Sequence, residues 1–170
     1  MDDEIVGDTG FEASSSTDNK QPGSRGCFVC GVENVNGLGL SFYEVGPDEV
    51  MAECTIPSHL EGYPGIVHGG IVATMLDEIA ERATLIGEHT RFRLTAKLDI
   101  RYRKPVPSEQ PLRLRGIVVR KKGRIALARS ELILVDGTVA AEADAVLADH
   151  PGLPGDESIL ESLGWQVYPD

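Results

Sequence analysis

The chain has 170 residues and a formal net charge of −11, from 16 Lys and Arg against 27 Asp and Glu. This length predicts one domain with a sizeable core, and 41% apolar with 25% charged residues is typical of a soluble globular protein. The acidic balance argues against a nucleic-acid-binding or membrane-surface protein, no apolar run approaches the ~20 residues of a membrane span, and the acidic start does not resemble a secretory signal.

The folded domain is predicted over residues 27–149. The preceding residues, 1–26, are polar and have no apolar periodicity, so they predict a flexible tail. Residues 150–170 show no clear period either and predict a second tail. Three cysteines are too few for a disulfide framework, which favours a cytoplasmic protein.

The first half of the domain predicts two strands, a loop and one long helix. The strands cover residues 38–43 and 50–55. Residues 57–68 predict a loop because prolines and glycines interrupt them. The apolar-periodic segment 69–86 predicts a helix, and Gly87 is the expected C-terminal stop.

The second half predicts four strands joined by short connections, over residues 94–102, 112–120, 125–135 and 138–148. In the first of them, Leu94 and Leu98 alternate with Thr95 and Lys97, so the two pairs should lie on opposite faces. Gly116 shifts the alternation in the next strand, as a bulge would. The element order predicts an α+β domain, in which one long helix packs on a mostly antiparallel sheet of about six strands.

Positive charge is concentrated in residues 91–129. This stretch holds 13 of the 16 basic residues against two acidic ones, for a net charge of +11, while the remainder of the chain carries −22. The concentration is consistent with a local anion site. The alternative is that these side chains form the solvated outer faces of strands.

The predicted helix carries one carboxylate, Asp77, at the margin of its apolar stripe. Small residues three and four positions away leave open volume beside it. The helix begins after His68 with Gly69 and Gly70, which let another group approach the backbone closely. A helix N-terminus presents unpaired N–H groups and a partial positive charge, so this start suits an oxyanion. The alternatives are a solvated aspartate and a glycine that only caps the helix.

Three segments together resemble a known family. They are the run from Gly65 to Asp77, with an acid nine residues after His68, the Cys27–Gly31 segment followed by Gly37-Leu38-Gly39-Leu40, and residues 95–105. Over residues 27–149 the chain resembles the hot-dog-fold acyl-CoA thioesterases of the phenylacetate-degradation and mammalian thioesterase-superfamily type. The resemblance implies a hot-dog fold and an acyl-CoA substrate, and we expect no separate cofactor and no metal.

The resemblance also implies residue roles. Asp77 would be the nucleophile or general base, and the Gly69 N–H would polarise the thioester carbonyl. His68 would shape the loop and contact the substrate or the backbone, and Thr95 would help to orient water. Relatives often carry Asn or Gln shortly before the His-Gly-Gly motif, where this chain has Gly62.

The spacing of the site residues predicts an oligomer. Along a helix, Gly69 and Asp77 are ~12 Å apart, whereas one thioester carbonyl needs both groups within ~3 Å. Two antiparallel helices from two subunits satisfy both requirements, which predicts a homodimer and makes a homotetramer plausible.

Coenzyme A carries several phosphates, and two basic clusters are the best sites for them. The first follows the strand that ends near residue 102 and contains Arg103 and Lys104. The second is a hairpin with Arg120, Lys121, Lys122 and Arg124. Basic hairpins are also common features of soluble surfaces.

The Cys27-x-x-Cys30 motif is expected to have a packing role, because a structural zinc site needs four ligands and the remaining Cys and His residues are scattered. Glu81 either couples to Asp77 or faces solvent, and Glu78 with Arg82 forms an i,i+4 pair.

Two other functions stay open for the whole chain. One is a non-catalytic acyl-CoA-binding protein, and the other is a hot-dog dehydratase, for which the His-Gly-Gly spacing is a poorer match.

Overall fold

The computed structural model describes residues 19–152 and 155–170, so most of the predicted N-terminal tail lies outside the described residues. In chain order the strands and helices are β1 (Tyr43–Glu44), β2 (Glu49–Thr55), β3 (Glu61–Tyr63), β4 (Ile66–Val67), α1 (Gly69–Leu85), β5 (Arg93–Tyr102), β6 (Pro111–Lys122), β7 (Ile125–Leu134), β8 (Val139–Asp149) and α2 (Glu157–Ser162).

Six strands form one antiparallel sheet in the order β1-β2-β6-β7-β8-β5, and α1 packs against it. The side chains of α1 that face the sheet are completely or almost completely buried: Val72, Met75, Leu76, Ile79 and Ala83. Each large side chain contributes roughly 1.5–3 kcal/mol on burial, so packing against the sheet holds α1 in place. The predicted α+β architecture of one long helix and about six antiparallel strands is confirmed.

The end of α1 is where the sequence predicts it. The helix ends at Leu85, and Ile86 is its C-cap. Gly87 follows with φ of 71°, the left-handed conformation that glycine adopts without strain.

Gly116 in β6 has a different role from the one predicted. The register of β6 against β7 shifts between Val118 and Arg120, so the bulge lies there and not at Gly116. A Cβ added at Gly116 would lie 2.2 Å from the carbonyl oxygen of Ile79. Gly116 is therefore the point at which the backbone of α1 crosses the sheet at closest approach.

The alternation predicted for residues 94–102 holds from Lys97 to Arg101 but is wrong for residues 94–96. The register of β5 against β8 shifts between Thr95 and Lys97, which leaves Ala96 as the extra residue. Because of this bulge, Thr95 lies on the same face as Leu98, which packs against the core. Leu94, predicted to lie with Leu98, is 50% exposed instead.

The predicted first strand, residues 38–43, is mostly irregular, and only Tyr43 belongs to β1. Leu38 and Leu40 donate their backbone N–H groups to the carbonyls of Phe28 and Val29. The segment is thus held by the loop that contains the two cysteines rather than by the sheet.

The predicted loop before α1 contains a 3₁₀ turn, Ser58–Leu60, and the hairpin of β3 and β4. The N–H of Val67 donates to the carbonyl of Val106 at 2.9 Å, and that of His68 to Leu60 at 3.0 Å. These bonds fix the start of α1 from two sides.

Parts of both predicted tails contact the domain. Gly23 and Gln166 exchange two backbone hydrogen bonds of 2.8 and 3.1 Å. Gln21 is 3% exposed, and the indole N–H of Trp165 donates to the carbonyl of His89 at 2.9 Å. The packed structure therefore includes described residues on both sides of the 27–149 domain predicted from the sequence.

Candidate active site

The first turn of α1 leaves one backbone donor free. His68 is the N-cap, and its Nδ1 accepts the N–H of Gly70 at 2.9 Å. The N–H groups of Ile71 and Val72 donate to the carbonyl of His68. Among the residues that the structure describes, the N–H of Gly69 has no hydrogen-bond acceptor. This exposed N–H, at the positive end of a 17-residue helix, suits a developing oxyanion.

Tyr102 fixes this helix start, a role that the sequence did not reveal. Its hydroxyl donates to the carbonyl oxygen of Gly69 at 2.8 Å, and its ring would lie 3.8 Å from a Cβ placed on Gly69. A tyrosine at a strand end is not a specific signal, because only the fold brings the end of β5 to the start of α1.

Asp77 is hydrogen-bonded to the strand beside it. Thr95 Oγ1 donates to Asp77 Oδ1 at 2.7 Å, and both residues are half-buried. The bulge in β5 turns Thr95 towards α1, so the strand irregularity creates this contact. The second carboxylate oxygen, Oδ2, accepts no hydrogen bond within the described part of the chain, which leaves it available for a water molecule or a substrate.

The structure does not bring Gly69 and Asp77 together within one chain. Both lie on α1, eight residues apart, which corresponds to ~12 Å along the helix axis. The predicted site residues thus form two half-sites: His68, Gly69 and Gly70 at the start of the helix, and Asp77 with Thr95 near its middle.

Gly62 lies against the histidine of the first half-site. A Cβ at Gly62 would lie 3.2 Å from His68 Cδ2, so the glycine leaves room for the imidazole ring. The neighbouring carboxylate, Glu61, accepts a hydrogen bond from the Ser108 hydroxyl. Glu61 is therefore engaged with the loop before β6.

The two basic clusters lie at opposite ends of α1. Arg103 and Lys104 directly follow Tyr102, which contacts the helix start, and Arg103 pairs with Glu142 at 2.6 Å. At the other end, Lys121 Nζ is 3.3 Å from the carbonyl oxygen of Ile86. The fold separates the predicted phosphate-binding residues by about the length of the helix, roughly 25 Å.

The hairpin that joins β6 and β7 presents most of its positive charge to solvent. Lys121 pairs with Glu88 at 3.2 Å, and Arg124 donates to the carbonyl oxygen of Asp149 at 3.5 Å. Arg120 and Lys122 are exposed and form no ion pair with any described residue.

The two acidic side chains that follow Asp77 on α1, Glu78 and Glu81, are both half-buried. Burial, then the nearby Glu78 carboxylate, raises the pKa of Glu81 to about 8. Arg82 is 2% exposed, so its pair with Glu78 is not the surface pair that the spacing suggests. The guanidinium stacks on Phe42, with its carbon 4.6 Å from the ring centre.

One group of potential metal ligands comes together in the described part of the chain. The ligand atoms of Cys27, Cys30 and Glu78 lie within 4.8 Å of one another. Arg82 donates to Cys30 Sγ and to Glu78 Oε1, both at 2.9 Å. A divalent cation ~5 Å from this guanidinium would be repelled by about 7 kcal/mol at an effective dielectric constant of ~20. The group therefore suits hydrogen-bonded thiols better than a metal ion.

Comparison with known proteins gives consistent matches. Residues 64–141 match the model of the thioesterase superfamily. The mouse protein named acyl-coenzyme A thioesterase THEM4 is 45% identical over 49 residues, which cover 29% of this chain and 20% of that protein. A crystal structure of a thioesterase superfamily protein is 29% identical, with a TM-score of 0.68, and the match covers 74% of this chain and 61% of that one.

A third match concerns the fold alone. The Streptococcus mutans protein smu.793, solved bound to acetyl CoA, is 16% identical, with a TM-score of 0.59, over 65% of this chain and 88% of that one. The match to the mouse relative named above covers only about a fifth of that protein's length. Among the described residues, no helix is both long and apolar enough to cross a membrane.

Proposed function

We propose that this chain is an acyl-thioester hydrolase of the thioesterase superfamily, whose model its residues 64–141 match. The observation that carries the proposal is the hydrogen bond of 2.7 Å from Thr95 to Asp77. It holds a carboxylate in a fixed orientation and leaves its other oxygen available. The name of the mouse relative and the acetyl CoA in the Streptococcus mutans structure support a coenzyme A thioester as the substrate.

In the proposed reaction, Asp77 acts as the general base that activates a water molecule for attack on the thioester. It takes a proton from water as the water oxygen attacks the carbonyl carbon. The carbonyl oxygen gains the electron pair, and the Gly69 N–H stabilises the resulting oxyanion. The carbon–sulfur bond then breaks, and the coenzyme A thiolate leaves and recovers the proton. Direct attack by the carboxylate, followed by hydrolysis of the anhydride, uses the same two groups.

The two half-sites require a second copy of the chain. A carbonyl ~3 Å from the Gly69 N–H cannot also be ~3 Å from an attacking group that Asp77 of the same helix activates. An antiparallel α1 from a second copy would supply the missing half to each site. Among the described residues, the edge strand β5 pairs only with β8, so ten residues of strand edge remain for the contact.

This dimer would also bring the basic hairpin to the site. The hairpin lies at the C-terminal end of its own α1. In an antiparallel pair that places Gly69 of one helix beside Asp77 of the other, that end lies eight residues, or ~12 Å, beyond the partner's Gly69. We therefore assign the phosphates of coenzyme A to the hairpin of one subunit and the oxyanion donor to the other.

The test is the release of free thiol from a panel of acyl-CoA esters by the wild type and by Asp77→Asn. We expect the substitution to reduce kcat at least ~100-fold. Asp144→Asn is the matched control, because Asp144 lies on β8, outside both half-sites and the proposed contact, with a side chain that is 69% exposed. Its activity should equal that of the wild type.

Two outcomes would contradict the proposal. A fully active Asp77→Asn variant would remove Asp77 from the reaction. A wild type that binds acyl-CoA but releases no thiol from any member of the panel would favour the non-catalytic alternative.

A further inference from the structure

The cysteine pair of the 27–31 segment takes no part in the proposed hydrolysis, yet its surroundings are specific. The N–H of Gly31 donates to the carbonyl oxygen of Cys27 at 2.9 Å and closes a turn around the pair. The N–H groups of Val29 and Cys30 point at Cys27 Sγ, at 3.3 and 3.4 Å. The two sulfurs lie within 4.8 Å of each other, so rotation of the side chains could join them.

The two sulfurs differ in exposure. Cys27 is half-buried, whereas Cys30 is only 5% exposed. The buried side chain of Arg82 fixes the position of Cys30, because its Nη2 donates to Cys30 Sγ at 2.9 Å. A less buried sulfur, close to a second sulfur that is buried and held by a hydrogen bond, is the arrangement of an attacking and a resolving thiol.

The protonation of the pair agrees with this arrangement. A hydrogen bond from the Cys30 thiol, supported by the two backbone N–H groups, lowers the pKa of Cys27 to about 6, although burial and Glu78 oppose the shift. The same hydrogen bond raises the pKa of Cys30. Burial raises the pKa of the third cysteine, Cys54, to about 12. The lowered pKa favours the thiolate of Cys27, whereas the raised pKa of Cys54 favours its thiol form.

We propose that Cys27 and Cys30 form a peroxide-sensitive dithiol, which a hydroperoxide converts to an intramolecular disulfide. The Cys27 thiolate attacks one oxygen of the hydroperoxide and the O–O bond breaks. The departing alkoxide or hydroxide takes from solvent the proton that the Cys27 thiol released, and becomes an alcohol or water. Cys27 is oxidised to a sulfenic acid and the peroxide is reduced. The Cys30 sulfur then attacks the Cys27 sulfur and displaces hydroxide, which becomes water with the proton from Cys30. Two thiols and one hydroperoxide give one disulfide, one alcohol or water, and one water.

The test is a thiol count on the reduced full-length chain after exposure to a few equivalents of hydrogen peroxide. The chain has three free cysteines, and we expect one thiol to remain under denaturing conditions. Peptide mass analysis should show a Cys27–Cys30 peptide lighter by about 2 Da. Cys54→Ser is the matched control and should change from two thiols to none.

A second variant follows the intermediate. In Cys30→Ser the resolving thiol is gone, so the sulfenic acid on Cys27 should accumulate and react with dimedone. We expect Cys27 to react with peroxide at least ~100 times faster than Cys54, since the two differ in thiolate fraction.

Three results would overturn the proposal: three thiols that survive the peroxide, oxidation of Cys54 as fast as Cys27, or one equivalent of zinc bound to the reduced chain. The thiol count does not depend on substrate turnover. Failure of the dithiol is therefore distinguishable from failure of the proposed hydrolase function.

Discussion

The backbone N–H of Gly69 can be removed while the helix is kept, by substitution of proline. Gly69 is the first residue of α1 after the N-cap, and proline is favoured at this position, because its fixed φ is helical and the missing N–H has no partner within the helix. The preceding residue, His68, has φ of −57° and ψ of 135°, a conformation compatible with a following proline. Gly69→Pro should therefore fold.

The expected effect on catalysis is large. Loss of one oxyanion donor costs ~2.7–4 kcal/mol of transition-state stabilisation, which corresponds to a fall of roughly 100- to 1,000-fold in kcat. Gly69→Ala is the control, because it keeps the N–H. Its Cβ would lie 3.8 Å from the Tyr102 ring, an ordinary contact. We expect Gly69→Ala to stay within about threefold of the wild type.

A mixing experiment then locates the two halves of the site. Chains with Gly69→Pro and chains with Asp77→Asn are each expected to be nearly inactive. If every site takes Asp77 from one chain and the Gly69 N–H from the other, a mixed dimer contains one intact site. Co-expression in equal amounts should then restore about a quarter of wild-type thiol release. Co-expressed chains that show no more activity than either variant alone would refute the shared site.

Other substitutions test neighbouring parts of the argument. Thr95→Val removes the hydrogen bond to Asp77 without a change in shape and should lower kcat about 10-fold with little change in KM; an unchanged kcat would contradict a positioning role. Gly116→Ala should destabilise the fold by about 3 kcal/mol in urea unfolding, because its Cβ would strike the Ile79 carbonyl; wild-type stability would contradict the close approach. The raised pKa of Glu81 means that the native chain holds a proton which the unfolded chain loses between pH 4.5 and about 8, so this residue lowers stability as pH rises through that window. Glu81→Gln should therefore increase the melting temperature more at pH 8 than at pH 5, and an equal change at both would be inconsistent with a buried protonated acid.

The sequence predicts the elements of this fold well where the signal is local. The helix from Gly69 is found because its apolar period continues to Leu85, and its stop is found because Gly87 must adopt a positive φ. The His-Gly-Gly start of α1 is local in the same way. These features depend on a few consecutive residues and on the covalent geometry of glycine.

The parts that the sequence does not predict depend on contacts between distant segments. The bulge at Ala96 exists because β5 pairs with β8, and it reverses which face Thr95 occupies. Tyr102 contacts Gly69 only because the sheet returns the end of β5 to the helix start. The sequence predicts a bulge at Gly116, because the segment that Gly116 contacts, the backbone of α1, is distant in the sequence.

The charge of residues 91–129 shows how a pattern in the sequence changes meaning in space. Eight of the 13 basic residues in this stretch form ion pairs, and all but one of these pairs use acids from other segments: Arg91, Arg93, Lys97, Arg103, Arg113, Arg115, Lys121 and Arg129. Arg93 is even buried, at 1% exposure. Of the five cations without an ion pair to described residues, three belong to the β6–β7 hairpin: Arg120, Lys122 and Arg124. The net charge of +11 is therefore mostly neutralised by folding, and what remains is concentrated at the C-terminal end of α1, which in an antiparallel pair would lie ~12 Å beyond Gly69 of the partner helix. An overall acidic protein can present a phosphate site in this way, because the local field depends on the unpaired cations and not on the total charge.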